Sequence, residues 1–318
     1  MAEADYQLVI IGGGPAGLTA ELYAALAKLQ VVLLEKGAPG GQVMSTYWVD
    51  NYPGFPEGIS GMELAEKMAA QAQRFNLPTR LGEVQSMDLT GPVKKIRLTD
   101  GATLTSRAVI LATGARPNQL GIPGEKELTG RGVSYCATCD GPFYRDMEIA
   151  VVGGGDTAIQ EAAHLTRFAA KVTVIHRRDQ LRATKVIQEK AFANDKIEFL
   201  WNSIATEVLG DHEVTGLRIK NTLSGEDAVL AVQGVFVLIG IRPNNETLPF
   251  DQLDNDDGFI KTDQEMRTSQ PGVFAAGDIC SKEVRQIVNA AGEGAVACIA
   301  AENYLSTLSF DEPAKTEN

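Results

Sequence analysis

The chain contains two stretches in which continuous apolar runs flank an amphipathic helical pattern. The first begins with the apolar run Gln7–Gly12, continues with a helical pattern from Pro15 to about Leu29 and ends in a second apolar run, Val31–Leu34. Uninterrupted β-branched runs are typical of parallel strands that are buried on both faces. The pattern therefore predicts a strand–helix–strand unit.

A glycine motif joins the first strand of this unit to its helix. Gly12, Gly14 and Gly17 have the spacing GxGxxG, and the second strand ends in Glu35. Such glycines let the backbone approach a pyrophosphate at a helix N-terminus, and an acid about 20 residues further on accepts from a ribose hydroxyl. In this setting the motif predicts a dinucleotide-binding site, rather than a glycine turn without a ligand.

The same pattern returns later in the chain. The strand Glu148–Gly153 leads into Gly153-x-Gly155-x-x-Ala158, a helix is expected from about Asp156, and a second strand is expected at Val172–Ile175. This internal repeat predicts a second nucleotide-binding unit.

Basic residues replace the acid in the second unit. His176 stands where Glu35 stands in the first unit, Arg177 and Arg178 follow it, and Arg182 lies one helical turn further on. A carboxylate would repel a 2′-phosphate, whereas arginines form charge-assisted bonds with it. The second site should therefore prefer NADP over NAD. The alternative is a solvated basic patch.

Cys136 and Cys139 form a Cys-x-x-Cys pair just upstream of the second glycine motif. Two thiols at this spacing can close a short disulfide loop and perturb each other's pKa, which indicates redox chemistry. A zinc or structural pair is the alternative, but it needs further ligands at metal spacing. Cys280, Cys298 and the scattered histidines do not supply them.

Length and charge limit the remaining possibilities. A chain of 318 residues suggests two domains, and a net charge of −12 argues against nucleic acid or an anionic membrane as a partner. The acidic N-terminus lacks the pattern of a signal peptide, and the longest apolar run, Ala228–Ile241, is too short to span a bilayer. We expect a reducing compartment, in which a dithiol is more often catalytic than structural.

Several short motifs, in their order along the chain, resemble those of the low-molecular-weight thioredoxin reductases of the flavoprotein disulfide reductase superfamily. The resemblance covers almost the full length, and the motifs are GGGPAG at 12–17, GGQ at 40–42, NYPGF at 51–55, ATGA at 112–115, CATCDG at 136–141, GGGDTA at 153–158, HRRDQLRA at 176–183 and AAGD at 275–278. The larger glutathione-reductase-type enzymes carry their redox cysteines near the first glycine motif instead.

The resemblance implies an α/β fold of two nested Rossmann-like domains, each with three layers (ββα). It implies a discontinuous FAD-binding domain, residues 1–115 and 245–318, and an NADPH-binding domain, residues 116–244, that carries the redox pair. Two similar segments, Ala115–Asn118 and Ile241–Asn244, form the crossings between them. By the same resemblance, one domain rotates against the other, so that NADPH and the redox pair reach the flavin in turn.

The resemblance also implies the site residues and no metal. Cys139 would face the flavin, Cys136 would attack the substrate disulfide, and Asp140 would manage thiol protonation, a role compatible with that of a helix N-cap or turn acid. The residues implied for FAD are Gly12, Gly14, Pro15, Ala16, Gly17, Glu35, Gly41, Gln42, Asn51, Thr113, Gly114, Gly277, Asp278, Arg285 and Gln286. Those implied for NADPH are Gly153, Gly155, Asp156, Thr157, Ala158, His176, Arg177, Arg178 and Arg182.

Thioredoxin or a similar small disulfide protein is the partner that the resemblance implies, together with a cytoplasmic homodimer. Pro142, Trp48 and Val284 depart from the family pattern, which leaves the acceptor and the donor open. The alternatives are a reductase of bacillithiol disulfide or another disulfide protein, an enzyme fed by ferredoxin, and a non-enzymatic redox or nucleotide sensor. The bases at 176–178 argue against ferredoxin as the sole donor.

Overall fold

The structure is a computed structural model that describes residues 4–46, 48–75 and 78–310. Its α-helices are α1 Pro15–Leu26, α2 Gly61–Gln73, α3 Ala137–Asp140, α4 Asp156–Leu165, α5 Lys185–Phe192 and α6 Ile287–Phe310. Its strands are β1 Tyr6–Ile11, β2 Val31–Glu35, β3 Thr79–Leu81, β4 Val84–Asp88, β5 Lys94–Leu98, β6 Thr103–Leu111, β7 Ala115–Pro117, β8 Val133–Ser134, β9 Glu148–Gly153, β10 Lys171–Ile175, β11 Ile197–Leu200, β12 Ser203–Leu209, β13 Gly216–Asn221, β14 Asp227–Leu230, β15 Gly234–Leu238, β16 Ile241–Pro243, β17 Asn255–Asp256, β18 Phe259–Ile260 and β19 Val273–Ala275.

The described residues divide into two compact units. The first is drawn from Met1–Thr46, Tyr52–Arg116 and Pro243–Asn318, and the second from Tyr47–Asn51 and Pro117–Arg242. The first unit is therefore discontinuous in sequence.

The first unit is built on a mixed sheet with a parallel centre. Strands β3, β2, β1 and β6 lie side by side in parallel, and β19 pairs in parallel with the end of β6. Strands β5 and β4 continue the sheet in antiparallel fashion from the start of β6. Because β6 is long, its first residues pair with β5 and its last residues with β19.

Both faces of this sheet are covered, which explains why β1 is apolar from Leu8 to Ile11. Leu8 and Ile10 are buried in a cluster with apolar residues of α1 and α6, whereas Val9 and Ile11 are buried in a cluster with those of β4 and β5. Successive side chains of a strand point to opposite faces, so a strand covered on both sides needs apolar residues at every position. The unit has three layers: helices, central sheet and an antiparallel extension.

The second unit repeats this design. Its parallel sheet has the strand order β11-β10-β9-β15-β8, and β12, β13 and β14 form a separate antiparallel sheet. Ile149 and Val151 are buried with apolar residues of α4 and α5, whereas Ala150 and Val152 are buried with those of β12 and β13. The predicted α/β fold with two Rossmann-like units is therefore confirmed.

Two of the crossings between the units fall at β7 and at β16, and these two strands pair in a two-stranded sheet. At one end of the pair the Asn118 amide donates to the Gly240 carbonyl, 2.9 Å, and at the other the Asn244 amide donates to the Gly114 carbonyl, 2.9 Å. These are the segments that the sequence indicated as crossings.

Helix α1 ends at Leu26, earlier than its apolar pattern indicated. Lys28 has a φ of 56°, in the left-handed region, which a right-handed helix cannot include. No helix among residues 4–46, 48–75 and 78–310 is long and apolar enough to cross a membrane.

Candidate functional site

In the first glycine turn, Gly12 and Gly17 leave no room for a side chain, whereas Gly14 faces open space. An ideal Cβ on Gly12, whose φ is +107°, would lie 2.3 Å from the Ala112 carbonyl oxygen, and one on Gly17 would lie 1.8 Å from the Gly12 carbonyl oxygen. At Gly14 the nearest heavy atom to such a Cβ is the Gly41 Cα, at 4.0 Å. The N-terminus of the 12-residue helix α1 therefore opens on free space, where a pyrophosphate can approach.

Glu35 is fixed at this turn by the backbone. Its Oε2 accepts from the Gly13 amide, 2.6 Å, and its Oε1 accepts from the Gly37 amide, 2.9 Å. Each carboxylate oxygen has a second lone pair. The side chain can therefore accept from a ribose hydroxyl while the turn holds it in place.

Three of the residues implied for FAD carry buried polar atoms that lack a hydrogen-bond partner. Among the described residues the buried unpartnered side-chain atoms are Glu21 Oε2, Thr113 Oγ1, Asp278 Oδ1 and Arg285 Nε. Burial also raises the pKa of Asp278, an effect that Lys282 and Arg285 partly offset. Unpaired buried polar atoms are rare and costly in folded proteins, so their presence here fits a polar ligand such as FAD.

Lys282 and Glu293 belong to the same cluster, and the sequence motifs did not indicate them. Glu293 Oε2 accepts from the Gly277 amide, 2.8 Å, and from Lys282 Nζ, 2.6 Å. The Lys282 ammonium lies 3.9 Å from Asp278 Oδ1. Glu293 therefore holds the turn at Gly277 and Asp278 in place. No motif indicated this contact, because Glu293 lies in α6, outside the AAGD motif that contains the turn.

The other residues implied for FAD, with one exception, also lie in the first unit. Pro15 and Ala16 form the first turn of α1, and Gly41 and Gln42 begin the 3-10 helix Gly41–Ser45. Gly114 follows β6, Gly277 follows β19, and Arg285 and Gln286 directly precede α6. The exception is Asn51, which groups with the second unit.

A cleft of about 740 Å³ lies within the second unit. Five of the residues implied for NADPH line it: Gly153, His176, Arg177, Arg178 and Arg182. Gly155 is the N-cap of α4, and Asp156, Thr157 and Ala158 form its first turn. The cleft also contains residues that no motif indicated, among them Gln119, Ser203 and Thr206.

The arginine segment, residues 176–184, is tied back onto the second glycine turn. The amides of Arg182 and Ala183 donate to the Gly154 carbonyl, 2.8 and 3.1 Å, and the Thr184 amide donates to Asp156 Oδ1, 2.6 Å. The side chains of Arg177, Arg178 and Arg182 are exposed at the cleft. Three cations therefore stand near a helix N-terminus, an arrangement suited to an anion such as a 2′-phosphate.

The redox pair forms a disulfide at the start of a short helix. Cys136 is the N-cap of α3, the Cα atoms of Cys136 and Cys139 are 5.3 Å apart, and Cys136 Sγ accepts from the Cys139 amide, 3.2 Å. The described residues contain no cluster of His, Cys, Asp and Glu that could hold a metal ion. The disulfide therefore fits the redox interpretation of the pair.

Asp140, the last residue of α3, has its carboxylate held by a serine. The Ser134 hydroxyl donates to Asp140 Oδ2, 2.6 Å, and accepts from the Cys136 amide, 3.1 Å. Burial raises the pKa of Asp140, and the Ser134 bond partly offsets this. Its carboxylate caps neither α3, whose N-cap is Cys136, nor the 3-10 turn that follows. A partly buried acid with a raised pKa beside a redox pair can hold a proton.

A second buried carboxylate reaches the redox turn from α4. Glu161 Oε2 accepts from the Ala137 amide, 3.2 Å, and burial raises the pKa of Glu161. Ser134 and Glu161 were not indicated by any motif. A polar residue at each position was visible in the sequence, but only the fold brings it to the redox pair.

Which thiol meets the flavin and which meets the substrate stays a prediction. Both cysteines are half-buried, and both belong to the same turn. The geometry assigns them to one redox centre, with Asp140 beside it.

Comparison with known proteins gives the class. The family described as pyridine nucleotide-disulphide oxidoreductase matches residues 6–294. The chain is 50% identical to a thioredoxin reductase of Mycolicibacterium smegmatis, over 95% of this chain and 97% of that one, and 45% identical to one of Listeria monocytogenes, over 96% of each. The crystal structure of a thioredoxin reductase from Streptococcus pyogenes superposes with a TM-score of 0.92, at 47% identity, covering 96% of this chain and all of that chain.

The chain therefore belongs to the pyridine nucleotide-disulphide oxidoreductase family, and within it to the branch of the thioredoxin reductases. It is an NADPH-dependent flavoprotein disulfide reductase, with FAD and NADPH as its cofactors.

Replacing Arg177 and Arg178 together by alanine should raise KM for NADPH ten-fold or more and leave KM for NADH nearly unchanged. Each charge-assisted bond to a phosphate contributes roughly 1.5–3 kcal/mol of binding free energy. Because NADH has no 2′-phosphate, its binding does not include these bonds and is not weakened by their loss. Steady-state kinetics with both nucleotides measure this. Arg131→Ala, an exposed arginine outside the cleft, is the matched control. Equal changes for NADPH and NADH would show that these arginines do not recognise the phosphate.

Asp140→Asn should lower the rate of disulfide reduction at least ten-fold while leaving the melting temperature at pH 7 unchanged or higher. A positioned acid typically contributes 10²–10⁴-fold to a rate. Since the folded state raises the pKa of Asp140, its ionisation costs stability above that pKa, and the cost disappears as pH falls below the unfolded value. Asparagine removes the cost at neutral pH.

Rate and melting temperature of Asp140→Asn are to be compared with those of Asp195→Asn, an exposed aspartate in the same unit. A lower melting temperature for Asp140→Asn at pH 7 would mean that the carboxylate stabilises the fold and that its burial is compensated.

Proposed function

We propose that the chain reduces the disulfide of thioredoxin, or of a similar small disulfide protein, with electrons from NADPH. The observation that carries this proposal is the Cys136–Cys139 disulfide, which lies in the same unit as a nucleotide cleft lined by arginines. The named relatives, thioredoxin reductases at 45–50% identity, support thioredoxin as the acceptor.

FAD, when bound by the residues implied for it, would supply two-electron transfer between the nicotinamide and the Cys136–Cys139 disulfide. The Cys136–Cys139 bond breaks on accepting the two electrons and leaves one thiolate and, after uptake of one proton, one thiol. Asp140, held by Ser134, is placed to hold or release that proton. The thiolate attacks the partner disulfide to form a mixed disulfide, and the second cysteine resolves it, which releases the reduced partner and restores the Cys136–Cys139 bond.

The two units divide the cofactors in this proposal. FAD is held in the first unit, residues 1–115 and 245–318 in the predicted division, and its binding residues are those implied above. NADPH is held in the second, residues 116–244. The unpartnered atoms of Thr113, Asp278 and Arg285 support the first assignment, and the arginine-lined cleft supports the second. The paired strands β7 and β16 would act as the hinge of a domain rotation that brings first NADPH and then the Cys136–Cys139 disulfide to the flavin.

We also propose a homodimer in the cytoplasm. Helix α6 exposes the apolar side chains Val288, Val296 and Ile299, and α1 exposes Leu26, which supports the proposal that these helices meet a second copy of the chain. Cys280 and Cys298 are free thiols, which is typical of a reducing compartment. Light scattering should give the mass of two chains, and a single-chain mass at micromolar concentration would contradict the dimer.

The acceptor is tested by trapping a mixed disulfide. Thioredoxin that lacks its resolving cysteine is mixed with Cys136→Ser, Cys139→Ser and the double variant, and the products are resolved on a non-reducing gel. We expect one single variant to form the covalent complex and the double variant to form none, because a lone thiol that attacks has no neighbour to resolve the product. The assignment of Cys136 to the substrate expects Cys139→Ser to trap.

Trapping by Cys136→Ser instead would exchange the two thiol roles and leave the acceptor unchanged. If neither single variant traps thioredoxin, the acceptor is another disulfide. The same assay with bacillithiol disulfide or another disulfide protein, and NADPH oxidation measured with each, then identifies it.

A further inference from the structure

The ring of His176 faces a backbone carbonyl on each side. Nδ1 lies 3.0 Å from the Gly153 oxygen and Nε2 lies 2.9 Å from the Gln180 oxygen, and the residue is 6% exposed. A neutral imidazole has one N–H, so one ring nitrogen would direct its lone pair at a carbonyl oxygen. Only the imidazolium, with two N–H groups, satisfies both contacts.

The two carbonyls belong to the two parts of the nucleotide cleft. Gly153 ends β9 and begins the glycine turn, whereas Gln180 lies in the arginine segment between Arg178 and Arg182. The imidazole ring packs directly against Gly154, where a Cβ would lie 2.2 Å from His176 Nδ1. A residue with a side chain at this position would clash with the ring. The ring therefore bridges the turn that receives the pyrophosphate and the segment that carries the arginines.

The charges around the ring oppose its protonation in the free protein. Burial lowers the pKa of His176 most, the two carbonyl contacts raise it, and the positive charges of Arg177 and Arg178 lower it further. Other charged groups near this end of the sheet are Asp156 at the start of α4 and Asp179 and Arg182 in the arginine segment. Glu148 and Lys171 lie at the opposite ends of β9 and β10, Glu198 of β11 pairs with Thr173, and Glu161 of α4 reaches the redox turn. The Trp201 ring, which follows β11, stands edge-on to the His176 ring, with 6.4 Å between the ring centres.

A bound 2′-phosphate changes this balance. A phosphate monoester carries about −1.5 to −2 charges near neutral pH and would offset the charges of the arginines beside the ring. Protonation of the ring then costs less, and both carbonyl contacts become donated bonds. The phosphate and the ring proton therefore favour each other by linkage.

We propose that His176 is a positioning residue that becomes an imidazolium when NADPH binds, and that it then donates to Gly153 and Gln180 and holds the arginine segment at the glycine turn. This rests on the proposed NADPH site. It differs from direct contact with the nucleotide, because both ring nitrogens are engaged by the protein. Binding takes up a proton, so over the pH range in which the phosphate is ionised, affinity falls as pH rises from the pKa of His176 in the free enzyme through its higher pKa in the complex.

Proton binding at the ring can be followed directly. The chain has three histidines, so a holoenzyme labelled with ¹³C and ¹⁵N at histidine gives few ring signals, and His176→Asn assigns the relevant one. Titration without and with saturating NADP⁺ should show the pKa of His176 rise by about one unit or more. His164 and His212 serve as internal controls. An unchanged pKa of His176 would overturn the proposal.

Calorimetry of NADP⁺ binding gives a second measure. At pH 7.5, where the phosphate is already almost fully ionised, heats in buffers of different ionisation enthalpy should report uptake of a fraction of a proton per nucleotide by the wild-type holoenzyme and none by His176→Asn. The variant should also lose affinity for NADP⁺ more than for NAD⁺.

The two proposals fail differently in these experiments. NADP⁺ binding without proton uptake would contradict the role of His176 and leave the NADPH site intact, whereas no binding of NADP⁺ to the wild-type holoenzyme would contradict the site itself. If His176→Asn does not fold, the histidine signal that shifts with NADP⁺ in the wild type decides the question.

Discussion

Both units depend on one close approach, in which a glycine at the end of a central strand lies against the end of the neighbouring strand. A Cβ on Gly12 would be 2.3 Å from the Ala112 carbonyl oxygen, and a Cβ on Gly153 would be 2.5 Å from the Leu238 carbonyl oxygen. Any other residue would force the two strand ends apart. The next helix starts directly after the turn, so this contact sets the position and direction of its N-terminus.

The repeat differs between the units in one respect that bears on specificity. In the first unit the turn is closed by Glu35, which accepts from the amides of Gly13 and Gly37. In the second unit His176 occupies the same place in the pattern and contacts carbonyls instead. The turn of the first unit therefore presents backbone N–H groups to the side chain at this place, whereas the second unit presents carbonyl oxygens.

Much of the fold followed from local patterns. The continuous apolar strands β1 and β9 and the two glycine motifs indicated parallel sheets covered on both faces, because each of these signals lies within a few residues. Helix α1 was predicted too long, since nothing in the apolar pattern announces the left-handed conformation of Lys28.

The side-chain partners in the site were less accessible. Ser134 on Asp140, Glu161 on the Ala137 amide and Glu293 on the Gly277 amide are pairings that only the fold creates. The motif places His176 in the nucleotide-binding segment, and the residue lines the cleft; its contacts through both ring nitrogens depend on the positions of Gly153 and Gln180 in the fold. Composition and spacing do not specify such contacts.

The paired crossing strands have a consequence for how the second unit is joined to the first. Neighbouring strands lie about 4.8 Å apart, so the chain leaves the first unit and re-enters it at nearly the same point. Residues 117–242 are thus an insertion whose two ends lie side by side, and a tight turn of a few residues could replace them without stretching the chain on either side. This geometry lets the inserted segment be removed or exchanged as one piece, as long as the two neighbouring strands at its ends are kept.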